Sequence, residues 1–209
     1  MLGTQDLLLF ILSALLLNIT PGPDTLYIVA RSSTQGLKAG IVAVLGISAG
    51  ILVHITAAAF GLSALFAASA TAFAALKLVG AAYLVYLGIS MLRSRAHSAA
   101  APVAREPAAP AAVFVQGFWT NVLNPKVALF FLAFLPQFVD AGAPSKVLAF
   151  LFLGLLFNLN GTLWNLFVAW SAARLGRALV RSRRAAAWLE RCIGALFVYL
   201  GARLALEAR

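Results

Sequence analysis

The chain has 209 residues, 63% of them hydrophobic and only 11% charged. Its mean hydropathy is +0.96. Soluble domains carry about a quarter charged residues, so this composition cannot cover a water-exposed shell. It excludes a soluble enzyme, a disordered chain and a nucleic-acid binder. The formal charge of +10, from 16 Lys and Arg against 6 Asp and Glu, is then the basic side of an integral membrane protein. Single Cys192 excludes a disulfide framework, a cysteine-built metal site and a two-thiol carrier.

A bilayer core of roughly 30 Å needs about 20 apolar residues per helix. Six runs meet that length, at about 7–30, 39–66, 70–92, 113–139, 147–173 and 187–206. They predict an all-α polytopic fold of six transmembrane helices, since they are too long for membrane strands and do not alternate. The first run follows Met1–Asp6, which carries no base, so it reads as a retained helix and not a cleaved signal. In the second, Gly46, Gly50 and His54 form a stripe whose glycines suit close helix contact, with Ser48 beside it. Lys77 of the third run reads as snorkelling to the outer interface. The stretch 94–112, with His97, Pro102, Pro107 and Pro110, reads as a flexible cytoplasmic linker. It divides one integrated membrane domain into three-helix halves at 1–93 and 113–209. In the fifth run Asn158, Asn160, Thr162 and Asn165 are too polar to face lipid, and Asn158, Thr162 and Asn165 share one face. Asn18-Ile-Thr20 and Asn160-Gly-Thr162 match glycosylation sequons but fall inside apolar runs, which discounts both.

The bases set an orientation. Arg31 and Lys38 fall between the first two runs, and Arg93, Arg95 and Arg105 between the third and fourth. Arg174, Arg177, Arg181, Arg183 and Arg184 fall between the fifth and sixth. The positive-inside bias puts these loops in the cytoplasm, beside anionic lipid headgroups, and both termini outside.

The halves read as repeats. Val85-Tyr86-Leu87-Gly88 recurs as Val198-Tyr199-Leu200-Gly201, each shortly after a glycine, Gly80 or Gly194. Polar residues and proline interrupt the first run at Asn18-Ile-Thr20-Pro21-Gly22-Pro23-Asp24 and the fourth at Thr120-Asn121-Val-Leu-Asn124-Pro125-Lys126. Aligning Pro23 with Pro125 sets Asp24 against Lys126. An odd helix number per half inverts the second half, the topology of many secondary transporters.

The chemistry is expected at those breaks. Pro21, Pro23 and Pro125 each remove a backbone donor, and Gly22 relaxes the chain between the first two. Such breaks survive in hydrocarbon only where protein or water satisfies the freed carbonyls. Asp24 is the single acid away from the ends of the six runs; Asp6, Glu106, Asp140, Glu190 and Glu207 fall at run ends or in loops. A charge at mid-bilayer costs at least about 2.5–3.5 kcal/mol, which marks Asp24 as functional with Lys126 its natural partner. Asp24 either carries a coupling proton or holds a substrate ammonium while Lys126 holds a carboxylate. A structural ion pair pinning the halves is the plain alternative. Thr20, Asn121, Asn124, Asn158 and Asn160 complete a candidate pocket, with Asn18. His54 is either a proton relay or a packing residue. No cluster of metal ligands and no phosphate-binding glycine loop is present, so neither a metal, a cofactor nor ATP is expected.

Asn18-Ile-Thr-Pro-Gly-Pro-Asp-Thr25, continued by Gly36, Gly40, Gly46 and Gly50, resembles the signature of the LysE/RhtB family of amino-acid exporters. Asn124-Pro-Lys-Val-Ala-Leu-Phe-Phe-Leu-Ala-Phe-Leu-Pro-Gln-Phe138 is similar to the second block of that family. The resemblance implies a six-helix bacterial inner-membrane exporter of amino acids or their derivatives, driven by the proton-motive force. Its motif positions fall here on Pro21, Gly22, Pro23, Asp24, Asn124, Pro125 and Lys126. One intramembrane acid suits a neutral cargo such as homoserine, threonine or leucine better than lysine. The partners expected are that cargo, protons and lipid, with small residues on several faces permitting a homodimer. The competing classes are a membrane-embedded enzyme, which needs a nucleophile–base pair or metal cluster in one pocket, and a non-catalytic membrane subunit.

Overall fold

The computed structural model describes residues 3–69, 107–140 and 142–175, with scattered positions between 71 and 92 and between 191 and 202. The third and sixth apolar runs, most of the linker, both Val-Tyr-Leu-Gly tetrapeptides, Lys77, His97 and Cys192 lie wholly or largely outside the described residues.

Among the described residues the regular structure is helical, apart from one isolated antiparallel bridge between Thr4 and Val139. Helix α1 is Leu7–Ile19 and α2 is Pro23–Thr56. A π-helical turn, Ala57–Leu62, continues α2 into α3, Ser63–Ala68. Helix α4 is Pro110–Val122 and α5 is Pro125–Leu129. The chain runs on from α5 through a π turn, Phe130–Phe134, and a 3-10 turn, Leu135–Phe138. Helix α6 is Lys146–Leu175. Pro23–Leu65 and Lys146–Arg174 are each long and apolar enough to cross a membrane, and Pro110–Val122 with Pro125–Phe138 forms a third candidate span bent by 45°.

Two expected boundaries move. The first run does not end near residue 30. After its break at residues 20–22 the helix restarts at Pro23 and runs to Gly36, whose φ of 81° and ψ of −179° bend it. Only glycine occupies that region without strain. Beyond Gly36 the same helix resumes, so the loop expected between the first two runs shrinks to one kinked residue. Arg31 is therefore not a loop base: it is helical and 7% exposed. Helix α4 likewise opens at Pro110, inside the stretch read as linker.

The breaks follow from proline chemistry. In an unbroken helix the Leu17 carbonyl would accept from residue 21 and the Asn121 carbonyl from residue 125. Both positions are proline and carry no N–H. Pro23 and Pro125 then open the next helices, where the missing donor is an orphan in any case.

The two broken helices run in opposite directions. The Gln5 amide donates to the Phe138 carbonyl at 3.0 Å and the Asp140 amide to the Gly3 carbonyl at 2.9 Å, so α1 starts beside the end of the α5 stretch. The first part of α2 lies antiparallel to α4, joined from Asp24 to Asn121, from Tyr27 to Val113 and from Arg31 to Gln116. Past the Gly36 bend α2 runs alongside α4 in the same direction. A Cβ at Gly46 would strike the Phe114 carbonyl, and one at Gly117 would come within 2.8 Å of the Ala43 carbonyl. The glycine stripe is thus a backbone-to-backbone seam, as its spacing suggested. Helix α6 closes on the other side of α2, where Gly154 meets Ile55.

The core between these elements is aromatic. Phe10 packs edge-on to Phe138 at 5.2 Å, and Phe130 stacks on Phe157 at 4.6 Å. Leu8 and Leu12 of α1, Leu45 and Leu52 of α2, and Leu155, Leu159 and Leu163 of α6 are exposed. Their helical spacing forms apolar outer stripes suited to lipid.

Candidate functional site

The two breaks lie side by side and line an open cavity, with about 400 Å³ of empty space in it and in front of it, open solvent included. Its polar wall takes Asn18, Thr20, Asp24 and Thr25 from one break, Asn124 and Lys126 from the other, and Asn165 from α6. Leu17, Ile51, Val127 and Phe157 form its apolar wall.

Asp24 and Lys126 occupy the same position in their helices, directly after the opening proline, and each reaches across to the other break. Asn121 Nδ2, in the last turn of α4, donates to Asp24 Oδ2 at 2.8 Å. Lys126 Nζ donates to the Leu17 carbonyl at 2.8 Å and the Thr20 carbonyl at 3.0 Å. Those are carbonyls of the broken end of α1, and the first is the acceptor that Pro21 leaves without a donor. Asn124 caps α5 by accepting from the Lys126 amide at 3.1 Å. Lys126 and His54 both lie within electrostatic reach of the Asp24 carboxylate.

Some polar atoms at this centre have no hydrogen-bond partner among the described residues. Asp24 Oδ1, Asn121 Oδ1 and Asn18 Nδ2 are all buried in that condition. Buried polar atoms are nearly always paired, by protein, water or ligand. Asp24 Oδ1, an acceptor, and Asn18 Nδ2, a donor, belong to residues that line the cavity.

The other expected residues divide. Pro21, Gly22, Pro23 and Pro125 all stand at the breaks, and Gly22 lines the cavity. His54 lies behind it: Nε2 is 3.1 Å from the Asn121 carbonyl and the ring stacks on Phe131 at 5.9 Å. A carbonyl only accepts, so Nε2 carries the proton, and it joins the Asn124 amide, which donates to the same carbonyl at 2.9 Å. Asn158 is not in the lining. Ser48 Oγ donates to its Oδ1 at 3.0 Å, and Thr162 Oγ1 donates to Ser48 Oγ at 3.2 Å, which ties α6 to α2. Asn160 is also outside the lining, with Nδ2 buried and without a partner among the described residues. Asn165, on the same helical face as Asn158, does reach the cavity.

Sequence reasoning missed the apolar wall and the pair Tyr27 and Arg31. The wall residues come from separate elements and carry no local signature. Tyr27 and Arg31 had a signal, since they follow Asp24 at i+3 and i+7 on one helical face. Among the described residues no group of three or more His, Cys, Asp or Glu could hold a metal.

The sequence profile of the LysE type translocators matches residues 15–208. The chain belongs to the LysE type translocator family. Similar chains cover nearly its whole length. An uncharacterised membrane protein of Pseudomonas aeruginosa is 35% identical over 98% of this chain and 96% of its own. A leucine efflux protein of Enterobacter sp. (strain 638) is 31% identical over 97% and 96%. A leucine efflux protein of Salmonella typhimurium is 27% identical over the same shares, 97% and 96%. No solved structure matches this translocator.

Proposed function

We propose that this translocator is a bacterial inner-membrane secondary exporter of neutral amino acids, leucine foremost, driven by the proton-motive force. The observation that carries the reading is the cavity in which one acid, one base and an apolar wall meet at two adjacent helix breaks. An amino-acid zwitterion presents the complementary set. Its ammonium would meet Asp24 Oδ1, its carboxylate the Lys126 ammonium and the N-terminal end of α5, and its aliphatic side chain the wall of Leu17, Ile51, Val127 and Phe157. The leucine efflux relatives support an aliphatic cargo.

Coupling follows if proton and cargo compete for one carboxylate. On the inner side Asp24 gives up a proton and binds the ammonium. On the outer side a proton from the acidic compartment displaces it, and protonated Asp24 returns empty. The halves 1–93 and 113–209 would act as inverted three-helix repeats rocking around the shared breaks. The basic segments between them would face the cytoplasm, with both termini outside. The proposed roles of Asn18, Thr20, Asn121 and Asn124 are to shape and hold this site. Asn158, Asn160 and His54 would support it from outside the lining.

Efflux of labelled leucine, threonine, homoserine and lysine from preloaded cells tests the reading. Faster leucine efflux that an uncoupler abolishes is the expected result. Unchanged efflux of all four, with the protein verified in the membrane, would overturn it.

A further inference from the structure

Arg31 is the most deeply buried described base, 7% exposed in the seam between α2 and α4. Its Nη2 donates to Gln116 Oε1 at 2.6 Å, and its guanidinium carbon stands 5.6 Å from the centroid of the Tyr27 ring. Both partners are uncharged. A guanidinium offers five donors in a fork shaped for a carboxylate, and Gln116 takes a hydrogen bond from only one of its nitrogens. Buried charges are ordinarily paired, yet no carboxylate is among the contacts of Arg31 within the described residues.

The position of Arg31 gives this charge a meaning. Asp24, Tyr27 and Arg31 lie on one face of α2, facing α4. Seven residues of helix separate the first from the last by about 10 Å. Between them the Tyr27 hydroxyl donates to the Val113 carbonyl at 2.7 Å, bridging the seam. Arg31 is thus at the Gly36 end of a polar seam whose other end is the cavity. This seam is made of side-chain hydrogen bonds, which water or a ligand can replace. The neighbouring seam of α2 with α4, built on Gly46 and Gly117, is backbone against backbone and offers no such exchange.

We propose that Arg31 is a carboxylate-binding station at the Gly36 end of the translocator. It receives the cargo's α-carboxylate before Lys126 does, and Tyr27 parts from Val113 to let the cargo through. The inference rests on the exporter reading and adds a second anion site to it. A phosphate oxyanion of an anionic lipid is the other source of the same chemistry, and the test separates the two.

The experiment uses the full chain reconstituted in vesicles of phosphatidylcholine alone, and in vesicles with added phosphatidylglycerol. Leucine transport is measured from each face for wild type, Arg31→Gln, Arg31→Lys and Gln116→Leu. Arg31→Gln is expected to raise the half-saturating leucine concentration about tenfold or more on the Gly36 face alone. Arg31→Lys should fall between it and wild type, and Gln116→Leu should leave that concentration near wild type. An equal rise on both faces, or a Gln116→Leu rise as large as that of Arg31→Gln, would make Arg31 a structural residue and overturn the inference. An effect confined to vesicles with phosphatidylglycerol would assign Arg31 to lipid and also overturn it. Wild-type transport with an unmoved Arg31→Gln strikes the inference alone, whereas no wild-type transport of any neutral amino acid strikes the exporter reading beneath it.

Discussion

The Lys126 ammonium lies 2.8 Å from the carbonyl oxygen of Leu17, the acceptor whose helical donor would have been the nitrogen of Pro21. A charged side chain from the second half of the chain therefore mends a backbone defect in the first. Across the same gap the Asn121 carbonyl, which Pro125 cannot serve, takes the Asn124 amide at 2.9 Å and the His54 imidazole at 3.1 Å. The first break thus draws its donor from the other half, while the second closes on its own turn with His54 as an additional donor.

Replacing Lys126 should expose that debt. Lys126→Met leaves the Leu17 and Thr20 carbonyls without their donor, and each buried orphan costs about 1–3 kcal/mol. Thermal unfolding in detergent should drop by about 2–4 °C for each kcal/mol lost, and leucine efflux should cease. Lys126→Arg keeps donors in place and should recover most of the thermal loss.

Asp24→Asn separates charge from shape. The amide oxygen can still accept from Asn121, so the protein should insert and unfold close to wild type. Efflux should fall to the background of cells without the protein, because no carboxylate remains to trade a proton for an ammonium. A folded Asp24→Asn protein with uncoupler-sensitive efflux would contradict this role.

His54 offers a test between a relay and a donor. Its Nε2–H points at a backbone carbonyl, which has no proton to pass on. His54→Gln, with an amide donor, should retain most transport and the wild-type pH profile. His54→Phe should lose about 1 kcal/mol of stability, read from denaturant or thermal unfolding. A His54→Gln protein with an altered pH profile would restore the relay.

The glycine seam predicts a sharp contrast. Gly46→Ala places a methyl against the Phe114 carbonyl, while Gly61→Ala meets nothing within 4 Å. Gly46→Ala should cost about 1–3 kcal/mol or more through overpacking, seen as a lower yield of monodisperse protein and a lower Tm. Gly61→Ala should leave both unchanged. Gly36→Ala meets no neighbour within 4 Å either, yet its backbone conformation should cost about 1–3 kcal/mol.

Much of this arrangement could be read in the residues. Proline fixes where a helix must break, and an intramembrane acid and base at matched positions after two such breaks lead directly to one cavity. Glycines at Gly46 and Gly50 pointed to a close helix contact for the same local reason, and its partner proved to be α4. What escaped depends on how far a helix continues. Arg31 read as a loop base because the first apolar run fades near residue 30, but polar residues 31–35 stay helical until Gly36 can bend the chain. Asn158 read as a pocket residue because polarity on α6 shows that a face avoids lipid, not which partner it meets. Ser48 took Asn158, and Asn165 took the cavity. The apolar wall draws Leu17, Ile51, Val127 and Phe157 from four elements, a convergence that exists only after folding.

The opposed directions of the two broken helices have an electrostatic result at their meeting point. The breaks bring together the carbonyl ends of α1 and α4 and the amide ends of α2 and α5, two negative poles and two positive ones. With Asp24 and Lys126 added, the charges still cancel. Such a centre has a strong local field of both signs but no net charge to compensate. Under the proposed exporter role it would suit a molecule that is itself neutral while carrying opposite charges a few bonds apart, and would leave a surplus charge on a diamine or dicarboxylate unmatched.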